Sequence, residues 1–113
     1  MKPTKKSLTN KLDKECSRII RARGACQRCG KSKYELLQCC HIFSRANRAV
    51  RWDLENLLCL CAGCHFWAHQ NPTLFAEFVK TQVNHVLLLT RATSIKKWSL
   101  PEMQGLLESL RGV

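Results

Sequence analysis

Two Cys-x-x-Cys pairs constrain this chain more than any other feature. Cys26-Gln27-Arg28-Cys29 is followed by Gly30, and Cys61-Ala62-Gly63-Cys64 returns after 31 intervening residues. A C-x-x-C turn aims two thiolates at one point, and a glycine behind the second relieves the backbone. Two such pairs at this separation make a tetrahedral four-sulfur site, for which structural zinc is the expected ion. A redox pair is the competing use of one C-x-x-C, but no thioredoxin-like β-α-β pattern surrounds either pair.

With 113 residues, 45% of them hydrophobic, the chain suits one domain. Its longest apolar run, Leu57 to Ala62, is six residues. A membrane span needs roughly 20. The basic start, Met-Lys-Pro-Thr-Lys-Lys-Ser, leads into no apolar stretch, so no secretory signal is read. The eight cysteines are therefore expected to be cytoplasmic thiols, where close Cys pairs favour metal over disulfide.

The net charge is +11, and all of the excess lies in the first half. Up to Arg51 there are 14 Lys/Arg against 3 Asp/Glu, and from Trp52 onward 5 of each. A one-sided positive field suits a polyphosphate partner, and DNA is the expected one.

Along the chain, Leu8, Leu12, Cys16, Ile19 and Ile20 fall on one face of a helix capped at Ser7 or a near neighbour. Gly24 is its expected stop. Tyr34 to His41 has the partly alternating pattern of a strand, and Leu57 to Cys61 that of a second. Between them, Phe43 to Arg51 reads as a basic loop and Asp53 to Asn56 as a turn. A helix beginning at Gly63 or Cys64 carries His65 and His69. Asn71-Pro72 opens another, with a kink expected near Asn84-His85. Ser99-Leu100-Pro101-Glu102 is a capping-box signature for a last helix.

His65 and His69 are four apart on a helix, so their imidazoles share a face and can share a metal. His41 ends the first strand. If the two strands pair over the helix, His41 lies close to that metal without binding it. This arrangement meets the needs of phosphodiester hydrolysis. A metal polarises the phosphate, and a neutral imidazole takes a proton from water. Asn56 can orient that imidazole or tie the loop together.

The set resembles the HNH endonuclease family, with its ββα-metal core, through Cys40-His41-Ile42, Asn56-Leu57 and Leu60-Cys61-Ala62-Gly63-Cys64-His65 with His69. It is similar to phage-type HNH proteins of the NinG-like recombination group through L-Q-C-C-H-I-F-S-R, R-W-D-L-E-N and C-A-G-C-H-F-W-A-H. The resemblance covers about Cys26 to Pro72. It implies His41 as general base, Asn56 as the middle Asn, His65 and His69 as catalytic-metal ligands, and Cys26, Cys29, Cys61 and Cys64 as structural zinc ligands. One position departs. Family members usually carry a His or Asp ligand before the base, and this chain has Cys40. A ligating thiolate shifts preference from Mg²⁺ toward Zn²⁺, Mn²⁺ or Ni²⁺. Otherwise water takes that position.

The expected fold is therefore α+β: a ββα-metal core with a four-cysteine zinc knuckle over 26–72, a basic helical arm over 1–25, and a helical segment packing on the core over 73–113. All three form one domain. Arg45, Arg48 and Arg51 are expected to grip DNA phosphates, together with Arg21 and Arg23 at the end of the first helix. The expected activity is metal-dependent DNA endonuclease, in phage recombination or processing. A non-catalytic zinc module that binds DNA or a protein is the competing function. A third possibility is a second structural zinc held by Cys39 or Cys40 with His65 and His69.

Overall fold

A computed structural model describes residues 2–113. The first helix, α1 (Lys5–Arg21), forms where the four-residue spacing of apolar positions requires it. Leu8, Leu12, Cys16 and Ile20 are all buried on one face. Fully burying each aliphatic side chain contributes about 2 kcal/mol. Thr4 is the N-cap: its hydroxyl accepts from Ser7 N at 3.1 Å, and Thr4 N donates to Ser7 Oγ at 3.0 Å. Beyond the last turn Gly24 takes φ +85°, the left-handed conformation that ends a helix without a Cβ clash. The buried face makes α1 a core element as well as a basic surface.

Strands β1 (Leu37–His41) and β2 (Leu57–Cys61) form one antiparallel sheet, with Leu37 opposite Cys61 and His41 opposite Leu57. Pairing starts at Leu37 rather than at Tyr34. Leu36 N bonds to Lys33 O at 2.9 Å, closing a 3-10 turn over Tyr34–Leu36. The register gives the reason. Leu37 faces the last residue of β2, so residues before it have no partner strand.

All five residues of β2 are buried. Such a run needs cover on both faces, and α1 lies on one side and α2 (Ala62–Gln70) on the other. The free edge of β2 is closed by Gln27, whose N–H donates to Cys59 O at 2.8 Å and whose Oε1 accepts from Cys59 N at 2.8 Å. Helix α2 starts at Ala62, ahead of the expected Gly63 or Cys64. Cys61 caps it, its Sγ accepting from Cys64 N at 3.4 Å.

Three more helices follow: α3 (Pro72–Gln82), α4 (His85–Ala92) and α5 (Leu100–Arg111). Pro72 opens α3, Asn84 caps α4 at the expected kink, and Ser99 with Glu102 makes the capping box of α5. Helix α5 packs along α1 through Met103, Leu107 and Leu110, and α3 packs on α2. A separate small cluster of Val50, Leu88 and Ala92 joins α4 to the loop after β1. Among the described residues no helix is long and apolar enough to cross a membrane.

Candidate metal centre and histidine cleft

Cys26 and Cys29 lie on the turn after α1; Cys61 and Cys64 bracket the start of α2. Their four sulfurs lie within 4.8 Å of one another, with Cys29 Sγ and Cys61 Sγ 3.6 Å apart. Zinc–thiolate bonds of about 2.3 Å in a tetrahedron separate sulfurs by roughly 3.8 Å, so the cluster can hold a zinc ion. Both pairs use the same local device. Cys29 N approaches Cys26 Sγ at 3.5 Å, and Cys64 N approaches Cys61 Sγ at 3.4 Å. Gly30, at φ +81°, lets the first turn close, with its N–H bonded to Cys26 O at 2.9 Å.

The electrostatics favour a cation. Burial works against the Cys26 thiolate, but backbone N–H groups of Cys29, Cys61 and Arg28 bring its pKa down to about 6. Cys61 is lowered in the same way, against its burial. Cys64 goes the other way, to about 12, through burial and through the other cysteines around it. Four thiolates cannot gather without a positive charge between them, and a dication reverses that penalty. Arg28 Nη1 donates to Cys64 Sγ at 3.4 Å while its guanidinium stacks 3.5 Å from the Trp67 ring.

The histidines lie in a cleft of about 880 Å³ between β1, the start of the following loop, α2 and α1. His41, His65, His69, Cys40, Gln38, Arg21 and Arg45 all line it. The ring of His41 bonds through Nε2 to Arg51 O at 3.1 Å. A carbonyl only accepts, so Nε2 carries the proton and Nδ1 keeps a free lone pair. Burial lowers the His41 pKa, aided by Arg45 and Arg51 and opposed by the Arg51 carbonyl bond and Asp13. The ring is thus held neutral in one tautomer.

His65 is fixed by the same logic. Its Nδ1 lies 2.7 Å from Gln38 Oε1, which leaves Nε2 free to bind an ion. Burial lowers its pKa first, then the charges of His69 and His41. The rings of His65 and His69 sit 5.0 Å apart at 31°. No third ligand converges on them. Among the described residues, the four cysteines are the one group of three or more His, Cys, Asp or Glu side chains close enough to share an ion. Cys40 shares the strand face of Gln38 but is only 1% exposed and is counted in the core. Burial, then Cys39, pushes its thiol up to about 12.

Asn56 is completely buried and bonded through its side chain and its backbone. Its Oδ1 accepts from Phe43 N at 2.8 Å, its Nδ2 donates to Phe43 O at 3.0 Å, and its own carbonyl accepts from Ile42 N at 2.8 Å. Of its two expected roles it takes the second, clamping the chain after β1 to the turn before β2.

The five arginines expected on DNA part company. Arg21 and Arg45 line the cleft, and the Nε of Arg21 is buried there with no hydrogen-bond partner. Arg51 turns inward to Asp13, donating at 3.1 and 2.7 Å, while Trp52 Nε1 donates to the same carboxylate at 2.8 Å. Arg23 donates to Gln27 Oε1 at 2.9 Å and to Leu57 O at 3.0 Å. Arg48 lines a different pocket.

Gln38, Asp13 and Arg28 escaped the sequence reading. The strand period of two placed Gln38 on the face of Cys40. Asp13 is one of three acids in the basic half. Comparison with known proteins finds no matching family model, no matching curated protein and no matching solved structure.

Proposed function

We propose that the protein is a metal-dependent endonuclease of the HNH type, hydrolysing DNA phosphodiester bonds with His41 activating water. The observation that carries this reading is the fixed tautomer of His41. Its Nε2–H is spent on the Arg51 carbonyl, and its Nδ1 is free in the same cleft as His65, His69, Arg21 and Arg45. Cys26, Cys29, Cys61 and Cys64 hold a structural zinc that fixes the start of α2 and so the aim of His65.

His65 and His69 would hold a divalent ion, which would supply Lewis acidity at the scissile phosphate. His41 Nδ1 accepts the proton of the attacking water. Arg21 and Arg45 hold the non-bridging oxygens, each able to present two donors to one phosphate. Two imidazoles without a converging thiolate suit Mn²⁺, Ni²⁺ or Zn²⁺, and Mg²⁺ if water and phosphate complete its shell. The resemblance to NinG-like proteins points to recombination or processing of phage DNA as the setting.

One observation favours a second reading, a zinc module that binds DNA without cutting it. Among the described residues, no third His, Cys, Asp or Glu side chain joins His65 and His69 closely enough to share an ion. Plasmid nicking with Mg²⁺, Mn²⁺ or Ni²⁺ separates the two. The endonuclease predicts metal-dependent nicking that falls about 10²- to 10⁴-fold in His41→Ala, with zinc content unchanged. Salt-sensitive binding with no cleavage under any metal leaves the second reading standing. Undiminished cleavage by His41→Ala removes His41 as the base.

A further inference from the structure

We infer that a second phosphate-backbone contact lies outside the cleft, built by Lys5, Arg48 and Lys97 around Trp98, and that it seats duplex DNA flanking the cleavage site. The inference rests on the DNA-binding part of the proposed function. A pocket of about 280 Å³ is lined by Lys5, Arg48, Lys96, Lys97, Trp98 and Met103 and shares no residue with the histidine cleft. Four of these six residues are cations and none is an acid. Lys96 is neutralised by Glu102. Lys5, Arg48 and Lys97 form no ion pair among the described residues and are exposed.

Three unpaired cations on a loose surface would be a solvated face. Here they are held. Trp98 donates its indole N–H to Arg48 O at 2.9 Å and packs edge-on against buried Trp52, with ring centroids 5.4 Å apart. The segment before α5 is thereby tied to the basic loop after β1. The halves of the chain that differ most in charge meet at one spot. Trp98 also shows which part of the nucleic acid is read. Its ring is half-buried, with Lys96 4.8 Å from its centroid and Trp52 set edge-on against it, which leaves little of it for stacking on a base. What is left is exposed positive charge on three long side chains with no acid among them, which fits the sugar-phosphate backbone.

Geometry links this patch to the cleft. Arg45 lines the cleft and Arg48 lines the second pocket, three residues apart on one loop. Arg51 is locked to Asp13 beneath that loop. A duplex crossing the loop would meet Arg45 on one side and the Lys5–Arg48–Lys97 patch on the other.

The test is the salt dependence of binding to a fluorescein-labelled 20-base-pair duplex, read by anisotropy without divalent metal. Lys5→Gln with Lys97→Gln is compared with Lys80→Gln with Arg111→Gln, which removes the same charge elsewhere. The patch predicts roughly tenfold weaker binding for the first pair, equal across duplex sequences, and a log–log salt slope shallower by about 2. Zinc content and unfolding temperature stay at wild-type values. An unchanged slope, or an equal change in the control pair, overturns the proposal. So does binding of inorganic tripolyphosphate that is lost in the first pair while duplex affinity is kept, since the site would then take a small anion. A wild-type protein that binds duplex but never cuts it refutes the endonuclease and leaves this contact intact. One that binds no duplex refutes both.

Discussion

The four-cysteine cluster and the histidine cleft meet at adjacent residues, Cys64 and His65, yet they are completed in different ways. In the cluster every ligand comes from the chain, all four sulfurs lie within 4.8 Å, and the backbone N–H groups that support them belong to the same two turns. In the cleft only two rings approach each other, and each key histidine is oriented by a group distant in sequence: His65 by Gln38, His41 by Arg51 O. A closed set of four ligands is what a structural ion needs. An incomplete set would leave coordination positions for water and phosphate, as the proposed endonuclease requires. The same short segment thus holds a complete four-cysteine cluster beside a pair of rings that no third ligand joins among the described residues.

The sharpest way to break this contrast is to remove a ligand from the closed site. Cys61→Ala takes away one sulfur and with it the cap of α2, and chelation of the wild type removes the ion while leaving the cap in place. Structural zinc contributes on the order of 10 kcal/mol in small metal-dependent folds, comparable with the whole stability of a domain. Loss of a cooperative thermal transition is expected, together with loss of the one tightly held zinc per chain measured by elemental analysis. A variant that still melts cooperatively near the wild-type temperature would make the cluster dispensable.

A smaller effect is expected in the open site. Gln38→Leu removes the acceptor that holds His65 Nδ1–H. Affinity for added Ni²⁺ or Mn²⁺, measured by calorimetry on zinc-loaded protein, is expected to fall about 10- to 100-fold while the tightly held zinc stays. Equal loss of both ions would erase the distinction between the two regions.

The smallest effect tests the support behind His41. Burial disfavours the Asp13 carboxylate, yet bonds from Arg51 and Trp52 and the Arg51 and Arg45 charges hold its pKa below the usual 3.8. A group depressed on folding stabilises above its unfolded pKa and loses that contribution as pH falls through the folded one. Asp13→Asn is therefore expected to be less stable than wild type by about 1–2 kcal/mol at pH 7 in urea unfolding. The gap should close as pH falls below 3.8. A gap independent of pH would mean that the carboxylate charge contributes nothing.

Much of this could be read from the residues. The apolar spacing of Leu8, Leu12, Cys16 and Ile20 gave α1, and Ser99 marked the start of α5, whereas the sequence left open whether the helix after Asn84-His85 was new, as it is, or a continuation. The paired C-x-x-C turns gave the cluster, because turn geometry within four residues aims both sulfurs. Arg45, Arg48 and Arg51, three apart, looked equivalent. Folding sends Arg45 to the cleft, Arg48 to a second pocket and Arg51 to Asp13. No local pattern predicts that division, because the partner of Arg51 lies 38 residues away.

The sequence by itself therefore determined which groups come together: four cysteines in two turns, two histidines one helical turn apart, and a basic first half. Short-range geometry is enough for each of these, since bond lengths and helix pitch leave a four-residue spacing little freedom. Tertiary structure alone decided which ring nitrogen is free, whether Cys40 faces solvent or core, and which arginines line the cleft. Those outcomes depend on the Arg51 carbonyl, on Gln38 and on Asp13, groups that reach the site only once α1 and the two strands have packed together.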